Sequence, residues 1–272
     1  KDIIQHTKRN ETFVRKICSI TFRTAAKMID QPRLPYGLTF WTAVALTVVL
    51  WFIPFGSLII WPFTFLATWA HEMGHGIAGI LVGGTFDRLE IYEYGGGRAF
   101  ITGVPGGGIK SALISVGGLV GAPLLGAMFV ALGVREMAGR VLLFLLAVTL
   151  LLSAVFLVRT VFGVAVSVTF AAVLGFCAYN LGPQIRFLLV QLVGIQMSLS
   201  AVRGFDYLFS AYANFPTGRV NSDVTSIAES IGGHYLLWGG LIFVFNALVL
   251  LGAFRVVLHN LTGSGSEPEL NE

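Results

Sequence analysis

The chain has 272 residues, of which 55% are hydrophobic and only 12% charged. A water-soluble domain carries roughly 25% charged residues, so this composition excludes an ordinary soluble globular protein. The net charge of +4 does not imply a nucleic-acid partner, and none is expected. Eight of the 18 basic residues fall in the first 34 positions, from Lys1 to Arg33, where they read as a cytoplasmic flank that orients a membrane protein.

Residues 1–36 are expected to form a basic cytoplasmic segment. Within it, Phe13 to Ile29 interleaves apolar residues with Arg and Lys, as an interfacial helix does. A polytopic domain then runs over 37–260, and residues 261–272 read as an acidic disordered tail. Apolar runs of spanning length occur at Leu38–Ile53, Leu58–Val82, Ile109–Leu132, Val141–Val158, Val161–Tyr179 and Leu236–Leu258. A weaker run, Ile185–Val202, contains two Gln and two Ser and is expected to line the bundle interior or to be re-entrant. The fold class predicted is an all-α polytopic membrane protein with six or seven transmembrane helices and a short membrane-associated β-hairpin. With seven spans and a cytoplasmic N-terminus, 14 of the 18 basic residues lie inside and 4 outside, as the positive-inside rule requires. The setting expected is a bacterial inner (cell) membrane. Cys18 and Cys177 are too far apart to suggest a metal knuckle or a disulfide framework.

The hairpin is predicted over 86–103, where two short alternating runs flank Gly95-Gly96-Gly97. Backbone of this kind at membrane depth must be buried in protein or line water.

The chemistry lies in the second apolar run, Thr68-Trp-Ala-His71-Glu72-Met-Gly-His75. His71 and His75 are four residues apart and share one face of a helix. Both imidazoles can hold one Zn²⁺, with Glu72 placed as general base toward a water on the metal. Ionisable groups at membrane depth are costly and persist only when something satisfies them. A catalytic zinc site has three protein ligands, so a third must come from later in the chain. The candidates are Asp206, Asp223, Glu229 and His234. Asp223 is favoured because Pro216 and Gly218 break the chain before it, although it also fits a helix N-cap. Asp206, before Tyr207-Leu208-Phe209, reads as an interfacial charge. Gly117-Gly-Leu-Val-Gly121-Ala-Pro supplies small-residue contacts for close helix approach.

His-Glu-x-x-His in an apolar helix, a hairpin after it and a late Asn-x-Pro…Asp resemble the site-2 protease family of intramembrane zinc metallopeptidases, peptidase family M50. Ser222-Asp223 and the compact chain look most like its M50B-like branch. The resemblance implies Zn²⁺ bound by His71, His75 and Asp223, Glu72 as the base, and Asn214 as a substrate-binding residue. Many members carry Leu-Asp-Gly where this chain has Asn221-Ser222-Asp223. The activity implied is hydrolysis of a peptide bond in or near a transmembrane segment of a membrane-protein substrate. Such a segment must unwind, and the strand edge at Phe100, Ile101 and Thr102 is expected to receive it by β-addition. The lipid bilayer is the medium, and it allows a complex with other membrane proteins. The alternative is a non-catalytic metal-binding scaffold or assembly subunit derived from such a protease. A zinc transporter is a weaker third reading, because no second acidic or histidine pair is evident.

Overall fold

The computed structural model describes residues 37–215 and 218–262. The expected interfacial helix at 13–29 lies outside the described residues, as does the tail expected at 261–272 except for 261–262, which end the last helix. The protein is mainly helical. In chain order come α1 (Gly37–Phe52), α2 (Gly56–Leu81), β1 (Thr85–Ile91), β2 (Gly97–Thr102) and α3 (Ile109–Leu132). These are followed by α4 (Glu136–Phe156), α5 (Val161–Asn180), α6 (Pro183–Ser198) and the single turns α7 (Ser200–Arg203) and α8 (Phe205–Leu208). A second hairpin, β3 (Tyr212–Phe215) and β4 (Gly218–Asn221), leads into α9 (Asp223–Ile231) and the long α10 (Tyr235–Thr262).

Among the described residues, four helices are long and apolar enough to cross a membrane: α3, α4, α5 and α10. The pair α1 and α2, bent by 116° at its break, passes the same test when taken together, which makes five. This is fewer than the six or seven expected from the sequence. His71, Glu72 and His75 dilute the apolar character of α2, and α6 has only 16 residues. At 1.5 Å per residue α6 reaches about 24 Å, short of the roughly 30 Å hydrocarbon layer. Its polar residues Gln191, Gln196 and Ser198 are buried, so this weaker run does line the interior.

Helix α3 is the centre of the bundle, packing on α2, α6, α9 and α10. The contact with α2 is backbone to backbone. A methyl group added at Gly74 would lie 2.2 Å from the Gly117 carbonyl oxygen, and one at Gly121 would lie 2.7 Å from that of Ala70. Small residues thus let the two helices meet without intervening side chains, as their pattern implied. Pro123 lies inside α3 and has no N–H for the carbonyl of Leu119, four residues back. The buried Asn246 of α10 donates its Nδ2–H to that carbonyl at 3.2 Å, which meets the demand for internal satisfaction of backbone groups in lipid.

The first hairpin forms where the alternation predicted it. β1 and β2 pair antiparallel, with Leu89 opposite Ala99 and Ile91 opposite Gly97. An irregularity between Phe86 and Arg88 shifts the register. One extra residue there puts Phe86 in phase with Leu89 and Ile91, so all three face the helices. Phe86 packs on Gly76 and Ile101 on Gly79. The outer edge of β1 is bonded to the α4–α5 connection, with Leu89 N–H donating to Leu157 O and Arg159 N–H to Leu89 O, each at 2.9 Å.

Candidate metal centre

Helix α2 presents two stripes at helical spacing. Thr68, Glu72, Gly76 and Gly79 lie under the first hairpin: the Thr68 hydroxyl donates to Gly95 O at 2.8 Å, and Gly97 lies against the Glu72 side chain. A methyl group at Gly97 would come within 2.7 Å of Glu72 Cγ, so only glycine lets the strand approach this closely. The second stripe, His71 and His75, is turned toward α3 and α9. Gly118 of α3 makes room for the His75 ring, since a methyl group there would sit 2.2 Å from it.

Asp223 begins α9, and its Oδ2 lies 3.2 Å from His71 Nε2 and 3.4 Å from His75 Nε2. The two Nε2 atoms are 3.1 Å apart. Among the described residues, His71, His75 and Asp223 form a group able to hold a metal ion. His75 Nδ1 lies 2.8 Å from Ile114 O. A carbonyl only accepts, so this nitrogen carries the proton, and in the neutral ring Nε2 keeps its lone pair toward the cluster. The site thus points electron-rich atoms at one another, an arrangement that favours a cation between them. Bonds of 2.0–2.1 Å to a tetrahedral Zn²⁺ place neighbouring ligand atoms about 3.3–3.4 Å apart, close to the separations seen. The donor set, two imidazoles and a carboxylate, suits zinc.

Glu72 is 5% exposed and, with His71, lines a cavity of about 650 Å³. The opposite wall is made by Ser200, Gly204, Tyr207 and Ala213, and the near wall by Tyr94 and Gly95–Gly97. The helix cap, the alternative reading of Asp223, belongs to Ser222, whose hydroxyl accepts from Thr225 N–H at 3.3 Å and donates to Ser210 O at 2.6 Å. Asp223, one residue on, is in the first turn, where the helix dipole favours a negative charge.

The other sequence candidates do not join the cluster. Glu229 is exposed and accepts from Asn221 Nδ2 at 2.7 Å, and His234 is exposed beside Tyr235. Asp206 is exposed but lines the same cavity. It was expected to lie well away from the metal centre, but the turns α7 and α8 bring it to the cavity that His71 and Glu72 also line. Asn214 pairs with Arg219 in the second hairpin, next to the cavity-lining Ala213. Phe100, Ile101 and Thr102 do not line the cavity; the strand's other end, at Gly97, does. Ile101 is packed on Gly79, and the guanidinium of Arg88 covers the Phe100 ring, 3.7 Å from its centroid.

Sequence reasoning missed Tyr207. Its hydroxyl donates to Asp223 Oδ2 at 2.8 Å and accepts from Asp223 N–H at 3.2 Å. A tyrosine next to an acidic residue in a stretch assigned to the interface carries no motif that would have signalled this.

Residues 40–253 match the Peptidase M50B-like family, most of the chain. The protein belongs to that family. No curated protein and no solved structure matches the chain. Family membership fits the His-Glu-x-x-His helix, the hairpin beside it and the mainly helical, membrane-type bundle.

Proposed function

We propose that this M50B-like protein is an intramembrane zinc endopeptidase that cuts a transmembrane or membrane-proximal segment of another membrane protein. The observation that carries the reading is the convergence of His71 Nε2, His75 Nε2 and Asp223 Oδ2, separated by 3.1–3.4 Å, beside the buried Glu72 at the wall of a cavity. His71, His75 and Asp223 would hold Zn²⁺, which when bound acts as a Lewis acid and makes water nucleophilic near neutral pH. Glu72, next in sequence to His71 and on the cavity, takes the proton of the attacking water and passes it to the leaving amine. The intact carboxylate at position 72 favours this over the scaffold reading, because metal binding alone needs no base.

The substrate would bind as an extended strand. The outer edge of β1 is occupied by Leu157–Arg159, and among the described residues no strand pairs with the outer edge of β2. The substrate strand would therefore add along β2 with its scissile bond toward Gly97, nearer Glu72 than the Phe100–Thr102 segment, and Asn214 would meet it from the opposite wall. Glu72→Gln should retain the metal and lose proteolysis by about 10²-fold or more. Loss of the metal itself would make Glu72 a ligand and sink the mechanism.

The orientation goes with this reading. Residues of the hairpin, of the α4–α5 connection and of the 200–213 stretch meet at one end of the bundle, and their basic residues Arg88, Arg98, Arg159 and Arg203 are among those counted inside when seven spans run from a cytoplasmic N-terminus. The proposal is a cytoplasmic N-terminus with α1 and α2 crossing separately. Cysteine labelling should then reach the N-terminal segment and Gly95 from the same face. If α1 and α2 form one broken span, the two labels will come from opposite faces.

A further inference from the structure

We infer that Tyr207 is the positioning residue for the late metal ligand, a role that rests on the metal reading above. Its phenol oxygen bonds one residue twice. It donates to Asp223 Oδ2, the oxygen that faces both histidines, and accepts from the backbone N–H of Asp223. Bonding both the main chain and the side chain of one residue fixes the direction of the carboxylate relative to the helix that bears it. The N–H involved is one of the first in α9, which has no partner within the helix, so the same hydroxyl also satisfies an orphaned donor.

The geometry explains why a bond is needed there. Asp223 follows the 4-residue strand β4 and starts a helix of only 9 residues. His71 and His75 are instead held in the middle of a 26-residue helix, with Gly74, Gly117 and Gly118 in close contact beside them. Of the three candidate ligands, Asp223 is the one with the least rigid support, and an unsupported carboxylate must be ordered when the metal arrives. Tyr207 orders it beforehand. Its own ring is held edge-on to His71, with centroids 6.3 Å apart, so it spans the gap between the two sources of ligands. The neighbouring hydroxyl of Ser222 does a different job: it caps α9 and bonds Ser210 O, without touching the Asp223 carboxylate.

The test uses the full chain in detergent, with Co²⁺ and Zn²⁺ as probes. Outer-shell partners of metal ligands typically contribute 10–100-fold in affinity. Tyr207→Phe keeps the ring and removes the hydroxyl. It should lower Zn²⁺ affinity, measured by chelator competition, 10–100-fold and alter the visible Co²⁺ spectrum, which reports the ligand field. Ser222→Ala is the control for a merely structural effect. It loosens the same helix start and should leave the Co²⁺ spectrum unchanged. Wild-type affinity and an unchanged spectrum in Tyr207→Phe would overturn the role of Tyr207 while leaving the metal site intact. The same shift in Ser222→Ala as in Tyr207→Phe would also overturn it, because helix loosening would then explain both. Failure of the wild-type chain to bind either metal would overturn the metal reading and the role of Tyr207 with it.

Discussion

The site has two walls, and they are built differently. The early wall comprises α2, the hairpin β1–β2 and the face of α3 that meets α2. Its helices touch backbone to backbone through Gly74, Gly117 and Gly121, while Gly97 and Gly118 lie against the Glu72 and His75 side chains. The hairpin is tied on three sides, by Thr68 to Gly95 O, by Leu89 to the Leu157–Arg159 segment, and by Phe86 and Ile101 seated on helical glycines. The late wall, α7 to α9 with β3–β4, is made of two single turns, two 4-residue strands and a 9-residue helix. Its turns are tied to the start of α9 by side-chain hydrogen bonds of Tyr207 and Ser222, and Leu208, Val224 and Ile227 seat it on α3. A close-packed wall transmits any added volume as strain. A hydrogen-bonded wall can loosen one bond at a time. On the proposed reading, such a division would give the peptidase a fixed base and a substrate strand platform, opposite a side that can part to admit a chain.

The largest effect should come from adding one carbon to the rigid wall. Gly118→Ala would place a methyl group 2.2 Å from the His75 ring. The backbone of α3 cannot retreat from α2, because α6, α9 and α10 pack on it. The imidazole must therefore move, breaking its bond to Ile114 O. Zinc content should fall to background, with an overpacking cost of about 1–3 kcal/mol seen as a lower melting temperature. Full zinc occupancy in Gly118→Ala would show that this wall is not rigid.

A smaller effect is expected in the late wall. Ser222→Ala removes the α9 cap and the bond to Ser210 O, at a cost of about 0.5–2 kcal/mol. The loss should be local: hydrogen exchange should rise in α9 and β3–β4 while α2 and α3 stay protected. If protection of α2 falls equally, the two walls are one cooperative unit and the contrast fails.

The same contrast governs what the sequence made legible. His71, Glu72 and His75 could be read because their relation is fixed by a single helix. The hairpin could be read because alternation and Gly95-Gly96-Gly97 are local signals. Gly117 and Gly121 announced a close helix contact by spacing alone. Tyr207, Ser222 and the inward fold of Asp206 could not be read, because their partners are set by how α7 to α9 return over α3. Asp223 was reached through the family pattern and its turn signals, and the alternative reading of it as the cap fits its neighbour Ser222 instead. The count of four or five spans that length and hydropathy support differs from the six or seven expected for a related reason. Hydropathy marks apolar runs, but the 116° bend after Phe52 and the short α6 are tertiary features.

The smallest effect concerns the outer face of the first hairpin, away from the metal centre and beyond the spanning helices. There the Tyr92 hydroxyl donates to Glu90 Oε2 at 2.6 Å and Arg88 Nε donates to Glu90 Oε1 at 3.0 Å. The Tyr92 bond, aided by Arg88, holds the Glu90 carboxyl below its usual range. The same bond, with some burial, pushes the Tyr92 phenol up to about 12. The signs give two windows. Glu90 contributes to hairpin stability above its unfolded value of about 4.3, and that contribution is lost as pH falls through the lower folded value. Tyr92 contributes below its unfolded value of about 10, and that contribution is lost as pH rises through about 12. Because Arg88 is 45% exposed, solvent screens this network and the gain is small. Protease nicking at the turn 92–96 should therefore be flat from about pH 5 to 9 and rise on either side. Tyr92→Phe should remove the alkaline rise and move the acid one upward, because Glu90 then keeps only Arg88. An unchanged profile in that variant would mean that the hairpin is held by its glycine seats on α2 alone, and the rigidity of the early wall would then owe nothing to its outer face.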